Sequence, residues 1–286
     1  MKKLRAGLGC RKDSPSAQWS GKARAGTRLM ASSSVAARQE GQSQELAHPL
    51  IRKLSNFTVL SREECAAVIK ATGKMFDFRT GDDIVQRGDL TGGVQVVLEG
   101  IACRYKILED GRRQVLAYLI PGDMCDLHVF LLNRMDHSIA AITRTKVAVI
   151  SRASVLAFTD QYPNLTRALW WCTLLDEAIM REWLVNLGQR TAYERMAHLF
   201  CEMYYRLGAI GEVRDRSYVL PLTQTGLGDT LGISTVHVNR TLQDLRERGL
   251  ITFRSGLLTV HDLPALEGAG FFNRDYLHLR DRDQKD

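Results

Sequence analysis

Six residues near the C-terminal end have types and spacing suited to reading nucleic acid: Ser234, Thr235, Val236, Asn239, Arg240 and Gln243. An arginine pairs with O6 and N7 of guanine, an asparagine pairs with N6 and N7 of adenine, and an aliphatic methyl touches the methyl of thymine. Hydroxyls at a helix start, here Ser234 and Thr235, suit a phosphate, because the first backbone N–H groups of a helix have no partner within it. The chemistry this set can do is recognition of base edges in a major groove rather than bond making.

Such a face works only if it is held rigidly, and the flanking residues supply the means. Gln224–Leu231 reads as a first helix with Thr223 as its N-cap, Gly232-Ile233 as a turn, and Ser234 as the N-cap of a second helix, Thr235–Arg248. Gly232 can take the positive φ of a tight helix–helix turn. Gly228 leaves room where the two helices cross, and Leu227, Leu231, Ile233, Val238, Leu242 and Leu245 form one shared core. This is the pattern of a helix-turn-helix. Beyond Gly249, segments Leu250–Arg254 and Leu257–Val260 flank Ser255-Gly256, a hairpin signal that adds a wing and places Arg254 for backbone phosphate. Gly226-Leu227-Gly228 with Gly232 superficially matches a dinucleotide-binding loop. No hydrophobic strand precedes it and no acidic residue follows at the required distance, which argues against that reading.

Upstream, residues 76–150 alternate short β-branched segments (83–86, 94–98, 101–107, 114–120, 138–143 and 146–150) with Gly/Asp turns, the pattern of a β-barrel or sandwich. Ahead of them Ser61 and Glu64 form a capping box for a short helix. Pro163 opens a long helix over 164–187 with Leu165, Leu169, Cys172, Leu175, Ile179 and Trp183 on one face. Ala168, Trp171, Ala178, Leu184 and Leu187 extend its apolar surface beyond one stripe, as expected of a helix that packs on its own domain and on a partner helix. Gly188 breaks the pattern, and Thr191 with Glu194 caps the next helix, whose buried face is Tyr193, Met196, Phe200, Met203 and Leu207. The expected division is a tail at 1–46, a β domain at 47–162, the long helix at 163–188, a DNA-binding domain at 189–265 and a C-terminal tail at 266–286.

Composition narrows the class. The chain has 286 residues, 45% hydrophobic and 25% charged, and no run of 18 apolar residues that would span a membrane. Its net charge of +7 arises in residues 1–29, which hold eight basic side chains and one acidic one; the remainder balances 31 against 31. Global charge is therefore no evidence for nucleic-acid binding. The Gly-, Ser- and Arg-rich tail reads as disordered. It leaves three readings open: a basic arm, a transit-like segment, or a start placed too early, with Met30 as the true one. Six scattered cysteines without a C-x-x-C pair argue against a zinc ribbon, a redox dithiol or a cysteine-held cluster, and suit a reducing cytoplasm. No G-x-S-x-G, metal-hydrolase spacing or phosphate-binding loop points to an enzyme.

A turn-rich β domain, a long helix and a C-terminal winged helix together resemble the Crp/Fnr family of bacterial regulators, over about residues 50–265. The most specific piece is LTQTGLGDTLGISTVHVNRTLQDLRERGLI, 222–251, where Ser234, Val238 and Arg240 fall on the family's recognition-helix pattern. GDDIVQRGD (81–89) and PGDMCDLHVF with DHSIAAIT (121–143) are similar to its cyclic-nucleotide-binding roll. The resemblance implies an α+β fold: an N-terminal β-roll of jelly-roll type, a dimerisation helix and a winged helix-turn-helix. It also implies a homodimer on a palindromic double-stranded DNA site with half-sites about 34 Å apart, Arg240 as the guanine reader, and RNA polymerase as a protein partner. The family often carries a glutamate at the position of Val236, so the usual half-site is in doubt.

The sensor half departs further. Where cyclic-AMP binders have a ribose-binding glutamate and an Arg-Ser pair for the phosphate, this chain has Asp126 and His137-Ser138. A histidine cannot replace a guanidinium that grips phosphate in two places, which argues against cyclic-AMP control. With only Cys10 in the N-terminal region, the iron–sulfur cluster of the Fnr branch is not expected either. Cys125, Asp126, His128, His137 and His198 are the residue types for zinc or haem iron, and equally serve as loop or hydrogen-bonded groups. Arg104, Arg112 and Arg113 suit either an anionic effector or a solvated hairpin. The effector site is thus expected around Arg104, Asp126, His128, His137 and Ser138, with its ligand open. The competing function is a β-roll module that acts through a protein partner instead of DNA.

Overall fold

In the computed structural model the described residues are 47–279, apart from Thr91, 128–130 and Asn133. The readings of the tail, including Cys10 and Met30, and of His128 lie outside them.

Two short helices, α1 (Pro49–Leu54) and α2 (Arg62–Ala71), lead into seven strands: β1 (Met75–Phe78), β2 (Asp83–Val85), β3 (Gly93–Glu99), β4 (Ala102–Ile107), β5 (Arg113–Leu119), β6 (Ser138–Ala141) and β7 (Thr145–Ser151). The strands make two antiparallel sheets, ordered β1-β7-β3 and β2-β6-β4-β5. Between them Val94, Val96, Leu119, Ile139, Ala148 and Ile150 are buried, and the same core takes in Leu50, Ile51 and Leu54 of α1. The Ser61–Glu64 capping box starts α2 as expected. At Gly122, φ is +96° and a Cβ would lie 2.6 Å from the Pro49 carbonyl, so only glycine lets this turn approach α1.

Two elements of this half were not legible in the sequence: β1, whose outer residues are exposed, and α3 (Arg152–Gln161), which buries only Val155 and Phe158. Pro163 bars the α conformation at Tyr162, which sits at φ −127°, ψ 84°, and so separates α3 from α4 (Pro163–Gln189). The 27 residues of α4 span about 40 Å. Gly188 does not break this helix. The break falls at Arg190, extended at φ −82°, ψ 143°, where Thr191 caps α5 (Ala192–Ala209) in the predicted capping box. One glycine in a helix costs about 1 kcal/mol, too little to end a helix packed on two cores.

The second core joins α5 to the later half of α4 and to the C-terminal elements β8 (Ser217–Val219), α6 (Gln224–Leu231), α7 (Thr235–Glu247), β9 (Ile251–Arg254), β10 (Leu257–Val260) and α8 (Leu263–Gly270). The strands form a sheet ordered β8-β10-β9. Residues 266–279 are not a loose tail: Leu266 and Leu277 are buried, Phe272 stacks on Tyr205, and Tyr276 stacks on His198.

Buried charges stitch the two halves together. Asp123, in the turn after β5, accepts from Lys53 of α1 and, at 2.8 Å, from Arg206 of α5. Arg206 also reaches the Tyr118 carbonyl and Glu202, and Glu202 accepts from Trp183 Nε1 and Tyr276 Oη. Burial works to raise the Asp123 pKa, but Lys53 and Arg206 outweigh it and hold the carboxyl below its ordinary value.

Candidate DNA-reading face and sensor pocket

The Thr223 hydroxyl accepts from the Gly226 N–H at 3.0 Å and starts α6. That helix ends at Gly232, left-handed at φ 65°, ψ 38°, whose N–H donates to Gly228 O. A Cβ on Gly228 would lie 2.8 Å from Ile233 O, so the crossing does require glycine there. The Ser234 hydroxyl accepts from the His237 N–H and starts α7, which runs to Glu247 with Arg248 as its C-cap. Leu227, Leu231, Val238, Leu242 and Leu245 are buried in one cluster with Ile233 packed on it, as the spacing predicts.

Opposite that cluster, Ser234, Thr235, Val236, Asn239, Arg240 and Gln243 are all exposed, Val236 at 78%. Gln243 donates to Glu247, while Asn239 and Gln224 exchange hydrogen bonds through their side-chain amides at 2.6 and 2.8 Å. His237 shares the exposed first turn of α7; the sequence reading passed over it, although its position inside that turn was signal enough. Ser255 and Gly256, both at positive φ, close the wing hairpin and leave Arg254 exposed beside its tip. Arg246 of α7 donates to Phe253 O at 2.8 Å and fixes the wing against the reading helix.

The structure brings Arg104, Asp126 and Ser138 near one another: Arg104 bonds the Cys125 carbonyl next to Asp126 and lies one register position from Ser138 across the β4–β6 pair. The polar groups of Arg104 and Ser138 are, however, already engaged. Arg104 lies in β4, buried, with Nε on Cys125 O at 2.7 Å and Nη2 on Met124 O and Asp176 Oδ2 at 3.0 and 2.8 Å. Its charge is thus taken up inside the protein by Asp176 of α4. Arg112 pairs with Asp110 in the exposed hairpin. Arg113 stacks 4.1 Å over Tyr105 and faces Asp229 of α6 at 3.9 Å. The three arginines therefore line no common anion pocket. Asp126 and His137 are buried; the His137 Nδ1 meets Asp136 at 2.7 Å, and the Ser138 hydroxyl accepts from the Arg87 N–H. A carboxylate beside the histidine and a hydroxyl already engaged do not fit a cyclic phosphate.

Cys125 is fully buried and burial pushes its thiol up to about 12, so it stands as a thiol rather than a metal-binding thiolate. His198 belongs to the other core. Among the described residues no group of three or more His, Cys, Asp or Glu side chains is placed to hold a metal.

One relationship had no sequence signal. The β5 strand of the roll touches the first helix of the reader: Tyr118 Oη bonds Thr230 Oγ1, and Gln114 Nε2 donates to Thr230 O at 3.2 Å.

A β-roll with its own helical frame, joined by one long helix to a winged helix-turn-helix, defines a sensor-and-reader regulator. Residues 75–162 match the family described as the cyclic nucleotide-binding domain, and residues 194–269 match the Crp-like helix-turn-helix domain. The chain is 29% identical over 195 residues to the nitrogen fixation regulation protein FixK of Bradyrhizobium diazoefficiens, covering 68% of this chain and 81% of that one. It is 28% identical to the transcriptional activator protein FnrL of Cereibacter sphaeroides, covering 61% and 71%. The solved structure of FixK2 from Bradyrhizobium japonicum superposes with a TM-score of 0.63 at 27% identity, over 68% of this chain and 96% of that one. The chain belongs to the Crp/Fnr family of DNA-binding transcription regulators. Among its described residues no helix is long and apolar enough to cross a membrane.

Proposed function

We propose that the protein acts in the cytoplasm as a homodimer that places one α7 in each half of a palindromic site and there engages RNA polymerase. It works by binding rather than catalysis. The observation that carries this reading is the exposed face of α7 on a fully packed helix-turn-helix. Arg240 pairs with guanine and Val236 meets a thymine methyl. Ser234, Thr235 and Thr223 lie at helix starts for phosphate, Gln243 lies one turn further along α7, and Arg254 reaches backbone from the wing. Asn239 shares this face, its amide paired with that of Gln224. Dimerisation through α4 is supported by Trp170, Leu174, Met180 and Leu184, exposed in the single chain at roughly helical repeats.

The effector acts at the β-roll and is not a cyclic nucleotide, given how Arg104, Asp136 and Ser138 are engaged. Selection from random double-stranded DNA with the full chain, with and without cell extract, tests the function. Enrichment of one palindrome, with affinity falling steeply as salt rises, is expected. Enrichment of no site under either condition would remove the reading.

A further inference from the structure

The reciprocal bonds between Gln224 and Asn239 bear on what Asn239 can read. In each side-chain amide, the oxygen and the N–H on its side lie along a single edge. A pair that exchanges both bonds, here Gln224 Nε2 to Asn239 Oδ1 at 2.6 Å and Asn239 Nδ2 to Gln224 Oε1 at 2.8 Å, uses that edge on both partners. Bidentate recognition of adenine N6 and N7 uses the same edge. The two arrangements exclude one another.

We propose that Gln224 is a positioning residue that holds the reading edge of Asn239 against α6, so that Asn239 makes no bidentate adenine contact while Gln224 is present. The assignment rests on α7 being the DNA-facing helix. Opening the pair to bind adenine exchanges two hydrogen bonds for two, which removes the gain that would favour adenine over another base. Both partners stand on fixed ground: Gln224 is the first residue of α6 beside the Thr223 cap, and Asn239 neighbours the buried Val238. What remains to Asn239 is its outer N–H and the outer lone pair of Oδ1, which point away from one another, so each can make a single bond but the two cannot make the bidentate contact with adenine. Two-point readout then falls to Arg240, with Val236 supplying apolar contact.

Random-DNA selection followed by binding to single-base variants of the selected site, using the full chain and its Gln224→Ala, Asn239→Ala and double variants, tests this. Asn239→Ala is expected to leave base preference unchanged. Gln224→Ala is expected to acquire a preference for adenine at one position per half-site, by about fivefold or more, the lower bound for one bidentate pair. The double variant should lose that preference again. Both side chains are exposed, so unchanged thermal unfolding is expected for all three. A wild-type adenine preference that Asn239→Ala abolishes would overturn the assignment alone, as would a Gln224→Ala variant with wild-type preferences. Selection of no site by the wild type would overturn the reading of α7 and the assignment together.

Discussion

Tyr118, in a strand of the sensor, donates its phenol hydrogen to Thr230, in the first helix of the reader. The direction follows from counting protons: the Thr230 hydroxyl spends its only hydrogen on Gly226 O at 2.7 Å, so Tyr118 must be the donor. Burial pushes the Tyr118 phenol well above its usual value, in keeping with a permanent O–H donor. The bond is fully buried and links the two halves within a single chain. Tyr118→Phe should therefore cost about 1 kcal/mol in unfolding and speed amide exchange across α6. A double-mutant cycle with Thr230→Val should show a coupling of at least about 0.5 kcal/mol; strictly additive effects would show the contact to be idle.

Gly226 and Gly228 lie two residues apart in the same helix, yet alanine should act on them in opposite senses. At Gly226 a Cβ meets only the Thr223 hydroxyl at 3.4 Å, so Gly226→Ala should stabilise by up to about 1 kcal/mol through helix propensity. At Gly228 the Cβ meets the Ile233 carbonyl at 2.8 Å, and the strain of overpacking, about 1–3 kcal/mol, should outweigh that gain. Urea unfolding of the two variants measures the difference. Two shifts of the same sign would contradict the crossing geometry.

Arg240 is the side chain whose loss should relax specificity at one base pair. Arg240→Ala should cost about 1–3 kcal/mol at a guanine position and leave the others nearly unchanged. Arg254→Ala should instead weaken all sequences alike and flatten the salt dependence. A variant that retains the wild-type sequence preference after loss of Arg240 would sink that role.

The reader was legible because local chemistry specifies it. Two N-caps, a glycine turn and a 3.6-residue apolar repeat each act within a few residues, and all point to the same pair of helices. Most of the roll was legible for the same reason, since its strands alternate between Gly/Asp turns. How the arginines of the sensor are engaged was not, because type alone cannot show where an arginine points. Arg104 and Arg113 lie nine residues apart in adjacent strands. One is drawn inward by Asp176 and backbone carbonyls, the other outward to Tyr105 and Asp229. Both partners of the Tyr118–Thr230 bond look ordinary in sequence, and 112 residues separate them. Gly188 misled because helix termination depends on the whole packed helix rather than on one weak residue.

Trp170, Leu174, Met180 and Leu184 remain exposed on α4 although the opposite face is buried in both cores. Covering them in a dimer should return roughly 1.5–3 kcal/mol for each large side chain fully buried. Leu184→Arg should therefore weaken self-association by at least about tenfold in sedimentation at low micromolar concentration. Helicity should be unchanged, because the residue is 67% exposed in the single chain. DNA affinity should fall in parallel, since each half-site contact would then be made alone. An unaltered dimer would move the interface elsewhere.

His198 offers the sharpest pH test. It is buried under Phe272 and Tyr276, and its Nδ1 accepts from Asn186 Nδ2 at 3.2 Å, which leaves the proton on Nε2. Glu182 Oε2 faces the His198 Nε2 at 3.5 Å, but Arg190, bonded to both Glu182 and Asn186, offsets that charge. Burial first, and then the Arg190 charge, push the His198 pKa down to about 3. In the unfolded chain an ordinary histidine takes up its proton near pH 6.5, so as pH falls the unfolded state gains a proton that the folded state refuses. Stability present above pH 6.5 is consequently lost between that pH and about 3, with a slope approaching about 1.4 kcal/mol per pH unit. His198→Gln removes this titration and leaves every other ionisable group in place. Urea unfolding at pH 7, 6 and 5, at constant ionic strength, should show the wild type losing more stability than the variant at each step, by about 1 kcal/mol per unit below pH 6. Parallel pH profiles would mean that His198 is protonated as readily in the folded protein as in the unfolded chain, and that its burial opens to water.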